Sequence, residues 1–143
     1  MSRPAGATRR HARELAFRVI FQADVAGGTL IEAWELRREE ERPGHDACAL
    51  VGDVIATLDK RGDEVDEILR GAAENWTLDR LAATDRAVLR AAVAELIARP
   101  GTPARVVLDE AIEIAKRFGA ADSGRFVNGV LDRAAKLLRP GEF

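Results

Sequence analysis

Arginine and phenylalanine side chains are concentrated in residues 8–25, whose sequence is TRRHARELAFRVIFQADV. The first eleven of these positions hold four arginines and a histidine. At about 100° per residue, a helix here gathers its core-forming apolar residues on one arc. The other side of the helix then carries Arg10, Arg13, Phe17, Arg18 and Phe21. The spacing predicts an amphipathic helix with one face of guanidinium and phenyl groups.

Such a face has the chemistry that binds single-stranded RNA. Arginine pairs with phosphate groups, and a phenyl ring or a guanidinium plane stacks on an unpaired base. Stacking of one base is worth on the order of 1–3 kcal/mol, and phosphate neutralisation makes the binding salt-dependent. From the residues alone a second interpretation stays open: the arginines form an ordinary solvated surface, and Phe17 and Phe21 pack against a neighbouring helix.

The positive charge of this segment contrasts with the rest of the chain. The 143 residues have a formal net charge of -2, yet residues 1–25, which include Arg3, carry +3 and the remainder -5. A basic end favours a polyanionic partner, and an acidic body favours a basic one.

Other chemically active residues give weaker signals. His45 and Cys48 are three residues apart, but two histidines and one cysteine are too few soft ligands for a zinc site. A Cys–His nucleophile pair would also need a third, orienting group. The carboxylates of residues 63–67 are typical of a solvated helix face, and Gly27-Gly28 lacks the lysine of a phosphate-binding loop. We therefore predict no catalytic residue, no metal and no cofactor.

The elements that position these side chains are expected to be helices. Tyrosine and alternating β-branched runs, which are typical of strands, are absent, and Ala, Leu, Glu and Arg dominate. Apolar periodicity and turn residues predict helices over about 8–26, 29–42, 46–58, 61–74, 84–98, 103–118 and 123–138. Thr8 and Thr84 are the expected N-terminal caps of two of them, and Asp122 or Ser123 of the last.

The expected fold class is all-α, with six to seven helices in two packed sub-bundles of a single domain over residues 1–143. We place their boundary at Asn75-Trp76-Thr77, which gives sub-bundles of about 8–74 and 76–138. The lone cysteine excludes an intramolecular disulfide, and neither a membrane-length apolar run nor a secretory signal is present. A cytoplasmic protein is predicted, with no membrane partner.

Three segments carry a family pattern: RRHAREL-F-VIFQ at 9–22, WTLDRLAATDRAVLRAAVAEL at 76–96 and VVLDEAIEIAKRFGAADSGRFVNGVLDR at 106–133. The run FVNGVLD is the most specific. Through these segments the chain resembles the NusB family of bacterial transcription antitermination factors. The resemblance covers nearly the whole chain and is weakest between residues 27 and 61.

The resemblance implies an all-helical protein that is not an enzyme. Such proteins bind the boxA element of nascent ribosomal RNA transcripts together with NusE, which is also a small-subunit ribosomal protein. The pair joins RNA polymerase in an antitermination complex that prevents premature termination. Some members are homodimers, so a homodimer is a further expectation.

By position, the resemblance assigns RNA binding to Arg9, Arg10 and Arg13. It also implies that Phe21 stands where the family often has a tyrosine near the RNA, and that Arg86 lies at the protein–RNA junction. His11 stands where an arginine is usual in some members, which would make RNA affinity lower or pH-sensitive.

The NusE-facing residues implied by the resemblance are Asp79, Asp85, Asp122 and Phe126. Each has a structural alternative: Asp85 favours the dipole of its helix, Asp122 is only a cap, and Phe126 belongs to the core.

Two other functions remain as alternatives. NusB-like domains also occur fused to ribosomal RNA cytosine methyltransferases, so the chain could be a stand-alone RNA-binding helper of ribosomal RNA maturation. A purely structural, self-associating helical protein is the other.

Overall fold

The computed structural model describes residues 5–74 and 76–143. Its six α-helices are α1 (Ala5–Ala26), α2 (Leu30–Glu41), α3 (His45–Ala72), α4 (Ala83–Ala98), α5 (Ala104–Phe118) and α6 (Ser123–Leu138). Short 3-10 turns lie at Leu78–Arg80 and Pro140–Glu142, and the described residues contain no strand. The predicted all-α fold is confirmed; Arg3 and Asn75 lie outside the described residues.

Local signals account well for the junction between α1 and α2. Gly27 and Gly28 both have positive φ, 84° and 86°, which a side chain would make costly. Thr29 then caps α2, because its hydroxyl accepts a hydrogen bond from the backbone N–H of Glu32 at 3.0 Å.

Two of the predicted caps are wrong. α1 begins at Ala5, so Thr8 lies within the helix, which the alanines before it extend. α4 begins at Ala83 after Ala82, which has no side chain able to cap, so Thr84 also lies inside its helix. Asp122 does precede α6, but its side chain makes no capping hydrogen bond.

The segments 46–58 and 61–74, predicted as separate helices, form one 28-residue helix, α3. The two parts meet at a kink, where Arg61 has the non-helical angles φ −126° and ψ 24°. Beyond the kink, Asp66 accepts hydrogen bonds from Arg90 of α4 at 2.9 and 3.0 Å. The second half of α3 is therefore joined to α4 beyond the kink.

α4 lies at the centre and packs against α1, α3, α5 and α6. One connected set of buried apolar residues runs through all six helices. Its largest fully buried members include Leu15, Ile55, Leu69, Leu89, Leu108 and Leu131. The division into sub-bundles remains an interpretation, with Trp76 at the expected border.

The segment after α6 closes the ends of α4 and α5. Arg139 donates hydrogen bonds to the carbonyls of Leu96 and Arg99 at 2.9 and 3.0 Å. Glu142 accepts from the backbone N–H of Ala104 at 2.9 Å, and this bond, with the one from Arg139, lowers the pKa of Glu142. Both unpaired helix ends thereby gain partners.

Candidate functional site

The arginine and phenylalanine face of α1 is only partly exposed. Arg13 is 9% exposed and Phe17 is 4% exposed, so the accessible arginine and phenylalanine face is wrong at these two positions, and Phe17 follows the alternative of packing against a neighbouring helix. Arg9 is exposed, the side chains of Arg10 and Arg18 are exposed by 67% and 44%, and Phe21 is half-buried. The accessible chemistry of α1 is therefore three arginines with one aromatic ring.

Arg13 holds α1 to α4 through an ion pair with Glu95. Its Nε lies 2.9 Å from one carboxylate oxygen and its Nη2 lies 2.8 Å from the other. Glu95 is 3% exposed, so both charges are buried and satisfy each other in a bidentate pair. The guanidinium of Arg13 is therefore engaged within the protein, and an RNA contact through Arg13 stays a prediction.

The exposed arginines of α1 face carboxylates as well. Arg10 donates two hydrogen bonds of 3.2 Å to Glu110 of α5, and this contact raises the pKa of Arg10. Glu14 accepts from Arg18 at 3.1 Å and from Arg117 of α5 at 2.8 Å. No carboxylate of the described residues forms an ion pair with Arg9.

An aromatic groove lies beside these pairs, with a volume of about 440 Å³. The ring of Phe17 lies 6.1 Å from that of Phe21 and 5.2 Å from that of Phe118, centroid to centroid. The guanidinium carbons of Arg18 and Arg117 lie 5.1 and 5.0 Å from the Phe118 centroid. The groove thus combines aromatic faces with cations that stack on them.

Sequence reasoning missed two residues of the aromatic groove, Phe118 and Arg37. Arg37, on α2, also lines the groove and donates a hydrogen bond of 2.8 Å to the side chain of Gln22. Neither residue lies on α1, and nothing in their own segments indicates a contact with it.

Arg86 is engaged by the protein itself. Its Nε lies 2.8 Å from Asp24 of α1, and its Nη1 donates to the carbonyl of Leu81 at 3.0 Å and that of Leu78 at 3.3 Å. With 16% of the side chain exposed, the guanidinium fastens the turn before α4 to the end of α1. An RNA contact through Arg86 stays a prediction, with little exposed surface to carry it.

Replacement of Arg86 by alanine is expected to lower the free energy of unfolding by about 1–2 kcal/mol, because several hydrogen bonds to a charged group are lost. Urea unfolding followed by circular dichroism measures this. Arg38→Ala is the control, since that side chain is 55% exposed and reaches only Glu35 at 3.9 Å. Equal losses in the two variants would contradict the structural role of Arg86.

The residues assigned to the protein partner lie near the start of α4 and of α6. Asp79 and Asp122 are exposed, while Asp85 is half-buried and its buried Oδ1 has no hydrogen-bond partner among the described residues. Phe126 is half-buried and meets Trp76 edge to face, with the centroids 5.6 Å apart. Trp76 is 58% exposed, and sequence reasoning used it only as a border between the sub-bundles.

The described residues contain no group of three or more His, Cys, Asp or Glu side chains placed to hold a metal ion. Cys48 is a free thiol whose Sγ lies 3.4 Å from the carbonyl oxygen of Pro43. Within 5–74 and 76–143, no helix combines the length and apolar character needed to cross a bilayer.

Comparison with known proteins matches almost the whole chain. The model of the NusB family covers residues 10–136. The transcription antitermination protein NusB of Koribacter versatilis is 38% identical over 135 residues, 92% of this chain and 90% of that protein. The protein of the same name from Sorangium cellulosum is 42% identical, covering 91% and 93%.

Solved structures agree with the sequence comparison. T. maritima NusB superposes with a TM-score of 0.84 and 36% identity, covering 95% of this chain and 93% of that one. A chain from a crystal structure of antitermination factors NusB and NusE in complex with double-stranded RNA gives a TM-score of 0.82 and 29% identity, covering 92% and 98%.

The six-helix fold and these relatives define a transcription antitermination protein. The chain belongs to the NusB family. The relatives share the name of a transcription antitermination protein, which is not an enzyme. This confirms the prediction that the chain is not an enzyme.

Proposed function

We propose that this protein binds the boxA element of nascent ribosomal RNA transcripts together with NusE and thereby supports processive transcription by RNA polymerase. The observation that carries the proposal is the exposed part of α1, where arginines stand beside the aromatic groove. A NusB chain of similar fold has been crystallised with NusE and double-stranded RNA, which supports both partners.

RNA is expected to lie along α1, with phosphates on Arg9 and Arg10 and a base on Phe21. Arg9 and Phe21 are twelve residues apart, which is roughly 18 Å along a helix and enough to span several nucleotides. Arg18 and Arg117 lie between these points and add positive charge. Arg13 contributes indirectly, because its pair with Glu95 fixes α1 on the bundle.

NusE is proposed to bind the surface formed by Trp76, Asp79, Asp85, Asp122 and Phe126. The exposed indole of Trp76 offers an apolar anchor, and the three carboxylates favour a basic partner.

The proposal is tested by titrating labelled boxA-like RNA with the protein, with and without NusE, at two salt concentrations. We expect tighter binding with NusE and weaker binding at higher salt. The same sequence as a duplex decides between single-stranded and double-stranded RNA. Binding that NusE does not change would favour the alternative of an RNA-binding helper of ribosomal RNA maturation, and absent binding would contradict the proposal.

The wider assembly belongs to the same proposal. Action on nascent transcripts places the protein in the cytoplasm and within an antitermination complex on RNA polymerase. In a homodimer the RNA-binding surface could be buried in the dimer interface. Sedimentation with and without RNA tests this: RNA should dissociate such a dimer, whereas a dimer that persists with RNA bound means that the dimer interface and the RNA-binding surface are separate.

Replacement of Arg9 by alanine is expected to weaken RNA binding roughly two- to fivefold and to reduce the salt slope by about 0.7, the value for one phosphate contact on a single strand. Fluorescence anisotropy at several salt concentrations measures both quantities. Arg38→Ala, an exposed arginine on α2, is the matched control and should change neither. An unchanged slope in Arg9→Ala would remove this arginine from the RNA site.

A further inference from the structure

A second groove, separate from the aromatic groove, lies between the start of α1 and the turn joining α2 to α3. Its volume is about 610 Å³. We call it the histidine groove, and it is lined by Thr8, Arg9, His11, Glu41, Arg42, Pro43, Gly44, His45, Asp46 and Ala47. The groove brings both histidines of the chain together across 34 positions of sequence.

The charged side chains that line the histidine groove balance one another, so the net charge of the lining depends on its two imidazoles. Arg9 and Arg42 offset Glu41 and Asp46, so the lining carries no net charge with neutral histidines and +2 with both protonated. The Nε of Arg37, on the same helix, lies 4.0 Å from the carboxylate of Glu41 and partly offsets its negative charge. No ion pair joins either histidine to a carboxylate in the described parts of the chain.

The histidine groove is continuous with a place where RNA is already expected. Arg9, proposed above as a phosphate contact, forms one of its walls. Arg9 and Asp46 also line an adjoining groove of about 370 Å³ that extends to Arg99 and Thr102 in the α4–α5 connection. Among the described residues, these two grooves connect Arg9 with the α2–α3 turn.

We propose that the histidine groove binds phosphate groups of the RNA strand and that protonation of His11 and His45 strengthens this binding. Histidine side chains in general gain their charge between about pH 8 and pH 5, and a charged imidazole pairs with phosphate. The groove thus makes RNA affinity respond to pH, which the arginines of α1 cannot do. This inference rests on the proposed RNA-binding function.

The experiment titrates a labelled single-stranded boxA-like RNA with the protein alone at about pH 6 and about pH 8, at equal ionic strength. We expect roughly fivefold tighter binding at the lower pH, the factor that two exposed ion pairs of ordinary strength supply. The salt slope should steepen by about 0.7–1.4. In the double variant His11→Gln, His45→Gln the pH effect should fall below about twofold.

Arg38→Gln serves as the control variant and should keep the full pH effect, since Arg38 does not line the groove. Circular dichroism of the double variant verifies that it is folded. A wild-type affinity equal at both pH values, or a pH effect that survives in the double variant, overturns the histidine groove and leaves the proposed function intact. Absent RNA binding at both pH values overturns the proposed function itself.

Discussion

Replacement of Glu95 by alanine is expected to lower the free energy of unfolding by about 3–5 kcal/mol, because it leaves the buried guanidinium of Arg13 without a partner. Glu95 is 3% exposed and Arg13 9% exposed, so the guanidinium is largely withdrawn from water when its carboxylate is lost. For a chain of this length, each kcal/mol corresponds to about 2–4 °C in the melting temperature. Urea titration and thermal unfolding measure the two effects.

Two further variants separate the ion pair from other effects of the substitution. Glu110→Ala removes the acid facing Arg10, whose side chain is 67% exposed, and should have a far smaller effect. The double variant Arg13→Met, Glu95→Leu fills the same space without charge and should recover most of the stability. A double variant as unstable as Glu95→Ala would mean that packing, and not the unpaired charge, causes the loss.

Arg13 illustrates why stability must be measured beside RNA binding. Arg13→Ala would leave the buried carboxylate of Glu95 unpaired and destabilise the protein. Weaker RNA binding in that variant would therefore not by itself show that Arg13 contacts the RNA. Arg9 and Arg10 are free of this difficulty, since both are exposed.

Replacement of Phe21 by alanine is expected to weaken RNA binding by about 1–3 kcal/mol, or five- to 150-fold, if a base stacks on this ring as proposed. Phe21 is half-buried and lines the aromatic groove, so part of this residue remains accessible to a base. Anisotropy titrations with boxA-like RNA measure the effect, and unfolding curves establish that both proteins are folded.

Two substitutions bracket the Phe21 result. Phe21→Tyr keeps the ring and should bind RNA within about twofold of the wild type. Leu36→Ala removes an apolar side chain that is 53% exposed on α2 and should leave RNA binding unchanged. If Phe21→Ala binds as tightly as Leu36→Ala, the base does not lie on Phe21.

The central positions of the buried face of α1 could be predicted from sequence, but the number of positions buried on either side of them could not. Ala12, Leu15 and Val19 have helical spacing and are buried as expected. Arg13 and Phe17 lie beyond the arc and are buried too, because α1 packs against four helices, α2, α3, α4 and α5. Periodicity describes one helix at a time and does not count its neighbours.

The partners of the arginines are the part of the site that sequence could not reveal. Glu95 lies 82 positions from Arg13, and Glu110 lies 100 positions from Arg10. Spacing rules reach only three or four residues along a helix, so they show Arg18 beside Glu14 and none of these distant pairs. Boundaries set by local chemistry, such as Gly27 and Thr29, were predictable for the same reason.

The carboxylates beside the arginines of α1 compete with RNA phosphates for the same guanidinium hydrogen bonds. A phosphate that takes over the hydrogen bonds of Arg10 or Arg117 replaces the carboxylate of Glu110 or Glu14, so the gain is an exchange of one anion for another. The number of counterions released on binding should therefore be smaller than the number of arginines. Only ligands that add base stacking to charge recover the difference, which disfavours polyanions without bases.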